Sequence, residues 1–498
     1  MTIMRSIQTH ILAFLLVTVT IGCGDFLEES LQGNYSNDTF YKTGDHAELA
    51  LSAVYATASF SNPSNNIWVF GDVASDDATK GGNPGDQISI QFIEEFNYLP
   101  SNGYLNDIWI QYYEGITRAN YLLYHISDIS MDTDRKEEVK GEALFMRSYY
   151  YFLLVNVFGE IPLKLNPPLN ANDVHVAVSS VEDIYRQLSL DLQLAADVLP
   201  ISADAGRATR GAALGLLAKL RLFQQDYAGA LNAISAIEAL GVYELMPLYS
   251  DNFSFGSQNN KESLFEIQHL SAASPRLGSG LNQWFAPQSE GGYFFNNPTQ
   301  DFVNEFETTL ADIVDPRLDY SVGREGQLWL NGEAFDPTWS PTGFISKKHL
   351  QPLAEIPRGI KGDGELNYVF MRYAEILLIK AEALNETNAS LLALIPLNEL
   401  RKRARESYLF DENLTGFGAV PVGLLADITT TDQTQLRLAI RHERRVELGL
   451  EFHRYYDLMR YGAAYAQEAL SATAFDFSLH RYFTIPLSET DINNKINK

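Results

Sequence analysis

The segment that most resembles a reactive site is His442-Glu443-Arg444-Arg445-Val446, which begins like the helix of a zinc protease. In that motif two histidines one helical turn apart share the metal, and the glutamate acts as base. Val446 stands where the second histidine is needed, and the nine histidines otherwise lie scattered without ligand spacing. The zinc reading fails. The charges over 441–460 suit one another instead. Glu451 with Arg454, His453 with Asp457, and Asp457 with Arg460 are three or four apart, the spacing of pairs along one helix. They predict a structural ion-pair network, partly buried between helices. No Gly-x-Ser-x-Gly elbow, phosphate loop or dinucleotide fingerprint occurs, so no catalytic residue is assigned. Carboxylates are numerous enough that a pair at glycosidase separation stays open on sequence alone. Asp72, Asp76 and Asp77 are close enough to gather a calcium ion or ligand hydroxyls, but their spacing matches no calcium loop. No metal and no cofactor is assigned.

A second pattern sets aromatic rings beside amides. Trp284 follows Asn282 and Gln283, Tyr293 precedes Asn296 and Asn297, and Trp68 follows Asn65 and Asn66. A ring offers a flat apolar face, and a neighbouring amide adds a donor and an acceptor at its edge. Trp284, Tyr293, Asn296, Trp68 and Asn66 are therefore the candidate ligand contacts. Trp109 falls on a helical stripe and reads as core.

The formal charge is −26, from 37 basic and 63 acidic residues, which repels phosphates and excludes nucleic acid as a partner. With 46% hydrophobic residues and 12% aromatics, the chain has ample material for a large core. One cysteine forms no internal disulfide, and its place is more telling than its number. Residues 11–21 form an apolar run about half the length that crosses a bilayer, and it ends in Thr20-Ile21-Gly22-Cys23. Residues 1–22 read as a signal peptide, with lipid attached to Cys23. The following Asp25, Glu28 and Glu29 look like a surface-export tag.

Helical segments must hold whatever site exists. Over 45–59 the apolar stripe is Ala47, Leu51, Val54, Tyr55 and Ala58; over 134–158 it is Val139, Ala143, Met146, Tyr150, Leu153 and Val157. Gly159 and Pro162 close the latter helix, and Ser179-Ser180-Val181-Glu182 reads as a capping box opening the next. Segments 211–224 and 226–240 form a hairpin with the small and large residues of a tetratricopeptide unit. Further hairpins are expected over 369–405 and 436–466, and one joining 105–126 to 139–157. Isolated hairpins cannot bury both faces, so they should stack. The fold class is all-α, with helical repeats around 104–240 and 369–466. Two irregular lobes, around 61–102 and 245–366, carry the clustered rings, Trp329 and Trp339 among them.

Four stretches resemble the SusD/RagB family of outer-membrane nutrient-binding lipoproteins. They are Cys23-Gly24-Asp25-Phe26-Leu27-Glu28; residues 141–152, with Arg147-Ser148-Tyr149-Tyr150-Tyr151-Phe152, followed by 158–163, with Phe158-Gly159-Glu160-Ile161-Pro162; residues 371–386, opening Met371-Arg372-Tyr373-Ala374-Glu375-Ile376; and residues 441–448, opening Arg441-His442-Glu443-Arg444-Arg445, with 453–462, opening His453-Arg454-Tyr455-Tyr456-Asp457. Their order covers nearly the whole mature chain, 23–498. The resemblance implies a tetratricopeptide-like scaffold, lipid-tethered at the cell surface of the outer membrane. It also implies an oligosaccharide ligand and a TonB-dependent SusC-like transporter as partner. Sugars present apolar C–H faces and a rim of hydroxyls, which the ring–amide pairs suit. A binder of peptide or another non-glycan nutrient, a surface hydrolase, and a purely scaffolding repeat protein are the alternatives.

Overall fold

The structure, a computed structural model, describes residues 40–496. The signal segment and Cys23 lie outside the described residues.

The helices start where side chains can satisfy their first amides. Helix α1 (Gly44–Ala56) is capped by Thr43, α2 (Gly103–His125) by Asn102, and α3 (Thr133–Phe158) by Asp132. In α4 (Val181–Val198) the cap is Ser180, whose Oγ accepts the Asp183 N–H at 3.1 Å and donates to the Asp183 carboxylate at 2.8 Å. The helix cap therefore sits one residue later than the sequence suggested, and the reciprocal bond of a capping box is replaced by this hydroxyl–carboxylate contact. Asp226 caps α6 (Tyr227–Leu240) after α5 (Arg210–Phe223), and Gln225 between them turns the chain at φ 58°.

These helices pack in sequence, α1 on α2, α2 on α3, α3 on α4, α4 on α5 and α5 on α6. From Gly141 to Phe158 helix α3 is wholly buried between its neighbours. A Cβ on Gly115 of α2 would strike the Tyr150 ring of α3, so only glycine permits that approach. The stack continues through α8 (Tyr373–Glu386), which packs on α5 and α6 and in turn carries α9 (Ser390–Glu406) and α10 (Gln433–Leu448). The expected hairpins over 211–240 and 105–157 are present. That over 369–405 is not helical throughout, because Tyr368–Arg372 forms a strand and α8 begins at Tyr373. The hairpin over 436–466 is a different arrangement. Helix α10 packs on α8 and α9, whereas α11 (Arg454–Tyr461) lies against 69–73 of the first lobe.

Four short antiparallel ribbons tie the irregular parts together. They pair β1 (Ala78–Gly81) with β5 (Phe295–Pro298), β2 (Ile161–Pro162) with β3 (Val178–Ser179), β4 (Ser263–Ile267) with β8 (Tyr368–Arg372), and β6 (Val322–Gly323) with β7 (Ile345–Ser346). The first joins the two lobes, and the third fastens the second lobe to the start of α8.

The charges of the last third form a buried spine. The Arg372 guanidinium meets Glu447 at 2.6 Å, Glu262 at 2.9 Å and Glu451 at 2.9 Å. Arg317 meets Asp315, Glu443 and Glu447, Arg403 pairs with Glu262 and Glu447, and Lys348 reaches Glu451 at 2.7 Å. All of these side chains are buried. Of the three pairs expected along one helix, only Asp457–Arg460 forms, at 2.7 Å. Glu451 turns instead to Arg372 and Lys348, Arg454 to Asp76, and the His453 ring nitrogen to the Lys219 ammonium. Glu451 and His453 fall between α10 and α11, so helical spacing did not apply to them.

Candidate functional site

Three of the five candidate contacts, Trp284, Tyr293 and Trp68, join one aromatic column where the two lobes meet. Helix α7 (Leu281–Phe285) presents Trp284, and the chain then folds back over it. The Tyr293 N–H donates to the Gln283 carbonyl at 2.9 Å, and the Phe294 N–H to the Ala286 carbonyl at 3.0 Å. Gly292 lies so close to Ala286 that a side chain there would collide with its carbonyl. This fold-back sets the Tyr293 ring edge-on to Trp284, with centroids 5.8 Å apart. Trp284 rests on Phe295 at 5.5 Å and on Trp68 at 6.0 Å, and Trp68 meets Phe285 at 5.3 Å. The column rises from buried Trp68 through half-buried Trp284 to Tyr293, which is 48% exposed.

Its edge carries hydrogen-bonding groups. Gln283 Nε2 donates to the Tyr293 hydroxyl at 3.2 Å and fixes that ring. A Cβ on Gly362 would strike both the Gln283 side-chain oxygen and an Arg276 guanidinium nitrogen, so those two groups lie side by side. On the inner side the Lys80 ammonium stands 5.7 Å from the Phe295 centroid and donates to the Asp86 carbonyl at 2.9 Å. Gln283 stood beside Trp284 in the sequence; no local signal pointed to Arg276.

Three of the five sequence candidates lie elsewhere than at the surface. Trp68, Asn66 and Asn296 are 1%, 1% and 0% exposed. Trp68 is covered because α7 and β5 close over it, which residues 65–68 alone do not reveal. Asn296 is the second residue of β5, and its amide donates to the Asp72 carboxylate at 3.0 Å. Of the five, only Trp284 and Tyr293 reach solvent. Asn282 and Asn297 are interior too, and the Asn282 side-chain oxygen accepts the Gln351 N–H.

Beneath the shelf the aspartates are already engaged. Asp76 pairs with Arg454 at 2.7 Å, Asp77 with Arg445 at 2.8 Å, and Asp72 accepts the Phe452 N–H at 2.9 Å. Burial, with Asp77 nearby, pushes the Asp72 carboxyl up to about 8. Among the described residues, no group of three or more histidines, cysteines or carboxylates is arranged to hold a metal ion. His269 and His349 are interior rings that burial holds neutral, each pushed down to about 4. Trp329 donates to Glu290 at 2.7 Å and packs with Phe335 and Trp339 in a separate cluster. Among the described residues, no helix is long and apolar enough to cross a membrane.

Two family models match the chain. One, described as the SusD family, covers residues 261–494; the other, described as starch-binding and associating with the outer membrane, covers residues 25–222. The chain is similar to SusD-like protein P2 of Formosa agariphila, 27% identical over 90% of each chain. It is also similar to a SusD-like protein of Bacteroides ovatus, 25% identical over 88% of this chain and 79% of the other. Among solved structures, a SusD-like carbohydrate binding protein from Bacteroides fragilis superposes with a TM-score of 0.78 and 25% identity, covering 92% of this chain and 100% of that one. A laminarin binding SusD-like protein gives 0.76 and 27%, covering 92% and 99%. The stacked helices, the two stitched lobes and these matches lead to one conclusion: the chain belongs to the SusD family.

Proposed function

We propose that the protein captures an oligosaccharide on the Trp284–Tyr293 shelf and passes it to a TonB-dependent SusC-like transporter, making and breaking no covalent bond. The observation that carries this reading is the exposed Tyr293 ring, held edge-on to Trp284 by the fold-back and steadied by Gln283. A ring fixed before the guest arrives loses little entropy on binding. The similarity to a laminarin binding protein supports a glycan, and the acidic surface suits neutral sugars better than polyanions. Acylation at Cys23 would hold the mature chain at the outer membrane, in keeping with the family description. Labelled fatty acid that enters the wild type but not Cys23→Ala supports the anchor.

Native gels cast with starch, laminarin and other neutral polysaccharides test capture. Retardation without new reducing ends supports binding; new reducing ends in the same incubation overturn it in favour of hydrolysis. Co-purification of an outer-membrane barrel with the tagged lipoprotein tests the transporter.

A further inference from the structure

A groove of about 340 Å³ opens beside the shelf. One wall is the face of α1 that carries Ser52 and Tyr55. The other is Leu270 and Leu277, 55% and 41% exposed, bridged by the Leu270 N–H to the Leu277 carbonyl at 3.2 Å. Gln268 and His269 also line it. Its volume lies within the range of about 300–1,000 Å³ typical of small-ligand sites.

Two short connections join the groove to the shelf. Leu277 of the groove follows Arg276, whose guanidinium lies beside Gln283 of the shelf. Ser61 of the groove follows Phe60, whose carbonyl accepts the Gly280 N–H at 2.9 Å, and Gly280 directly precedes the helix bearing Trp284.

The groove is shaped before any guest arrives. Ser59 donates to Ser61 at 3.0 Å, the Tyr55 hydroxyl to Glu142 at 2.7 Å, Gln268 to Asn259 at 2.9 Å, and the Phe60 N–H to His269 Nε2 at 3.2 Å. Its charges are paired within the protein. Arg207 is shared between Glu48 and Glu142, and the Glu266 carboxylate accepts the Asn259 N–H and the Asn367 amide. What it offers a guest is two exposed leucines and serine hydroxyls, which match the C–H faces and hydroxyls of an uncharged sugar.

We propose that this groove is a second subsite of the same surface, so that the preferred guest is a neutral glycan chain long enough to lie on the shelf and enter the groove. This inference rests on the glycan reading above. Titration calorimetry with the purified lipoprotein tests it, using ladders of α-1,4-glucan, β-1,3-glucan and β-1,4-mannan oligosaccharides from disaccharide to octasaccharide. For the ladder that binds, affinity should rise about tenfold between the short and the long members. Ser52→Trp, which fills the groove from an exposed helical position, should remove that gain and leave the short members unchanged. Leu277→Asp, a substitution at an exposed wall residue, should do the same, with unchanged melting showing that both variants fold. Equal affinity for short and long members overturns the inference, as does a length gain that survives in both folded variants. Failure of every ladder and its parent polysaccharide to bind rejects the glycan reading itself, and the second subsite with it.

Discussion

The charged spine around Arg372 and the aromatic shelf around Trp284 are built on opposite terms. In the spine, guanidinium, ammonium and carboxylate groups are buried and answer one another across elements distant in the chain. Nothing there is left for a guest. In the shelf a ring stands half in solvent beside an amide edge, supported from below by a packed column. The contrast teaches that the segment most reminiscent of an active site, His442-Glu443-Arg444-Arg445, holds the scaffold together, whereas the plainer Gln283-Trp284 and Tyr293 meet the outside.

The largest effect expected from separating the two is on folding. Glu447 accepts from Arg317, Arg372 and Arg403, so Glu447→Ala takes a shared carboxylate from three buried cations and leaves Arg403 with Glu262 alone. It should cost about 3–5 kcal/mol in urea unfolding, the toll of breaking a buried pair. A loss under 1 kcal/mol would break the comparison.

Acid and base should also pull the two regions apart. Burial alone would raise the Glu451 carboxyl, but Arg372 and Lys348 overcome it and hold it at about 2; Asp457 is held at about 2 against burial by Arg444 and Arg460. Both are ionised in the fold where the unfolded chain begins to take up protons. Their stabilisation is present above the usual carboxyl range and is lost as pH falls toward 2. Asp72, at about 8, has the opposite sign. It keeps its proton in the fold while the unfolded chain releases it, so stability falls as pH rises from about 4 toward 8. Melting followed across this range should therefore show two limbs. Glu451→Gln should make the acid limb shallower and Asp72→Asn the alkaline one, each sharing its limb with other shifted carboxyls; a variant that acts on the wrong limb refutes the assignment.

Smaller effects belong to the shelf. Tyr293→Ala should cost about 2 kcal/mol of glycan binding, as for a central aromatic contact, with melting nearly unchanged because the ring is half exposed. Gln283→Ala should cost about 1 kcal/mol of binding by freeing the Tyr293 hydroxyl. Calorimetry on both variants checks the order.

The helical part of this architecture was legible from local spacing. The stripe through Val139, Met146, Tyr150 and Val157 does face the core, and Gly159, at φ 72°, ends α3. A capping residue was misplaced by one because Ser179 and Ser180 are alike in sequence and only hydrogen bonding separates them. Long-range pairing was not legible. Arg454 finds Asp76 378 residues away and β1 of one lobe finds β5 of the other, and no spacing rule reaches that far. The same limit hid the depth of the candidate contacts. Trp68, Asn66 and Trp284 have similar neighbours in sequence, yet the fold-back over α7 leaves only Trp284 near the surface, with Tyr293 above it.

The most direct test compares wild type with Trp284→Ala and Tyr293→Ala in native gels containing the polysaccharide that retards the wild type most, after circular dichroism has shown all three folded. The account predicts that both variants run free of retardation or nearly so. Variants retarded as strongly as the wild type would contradict it and move the binding surface away from the shelf.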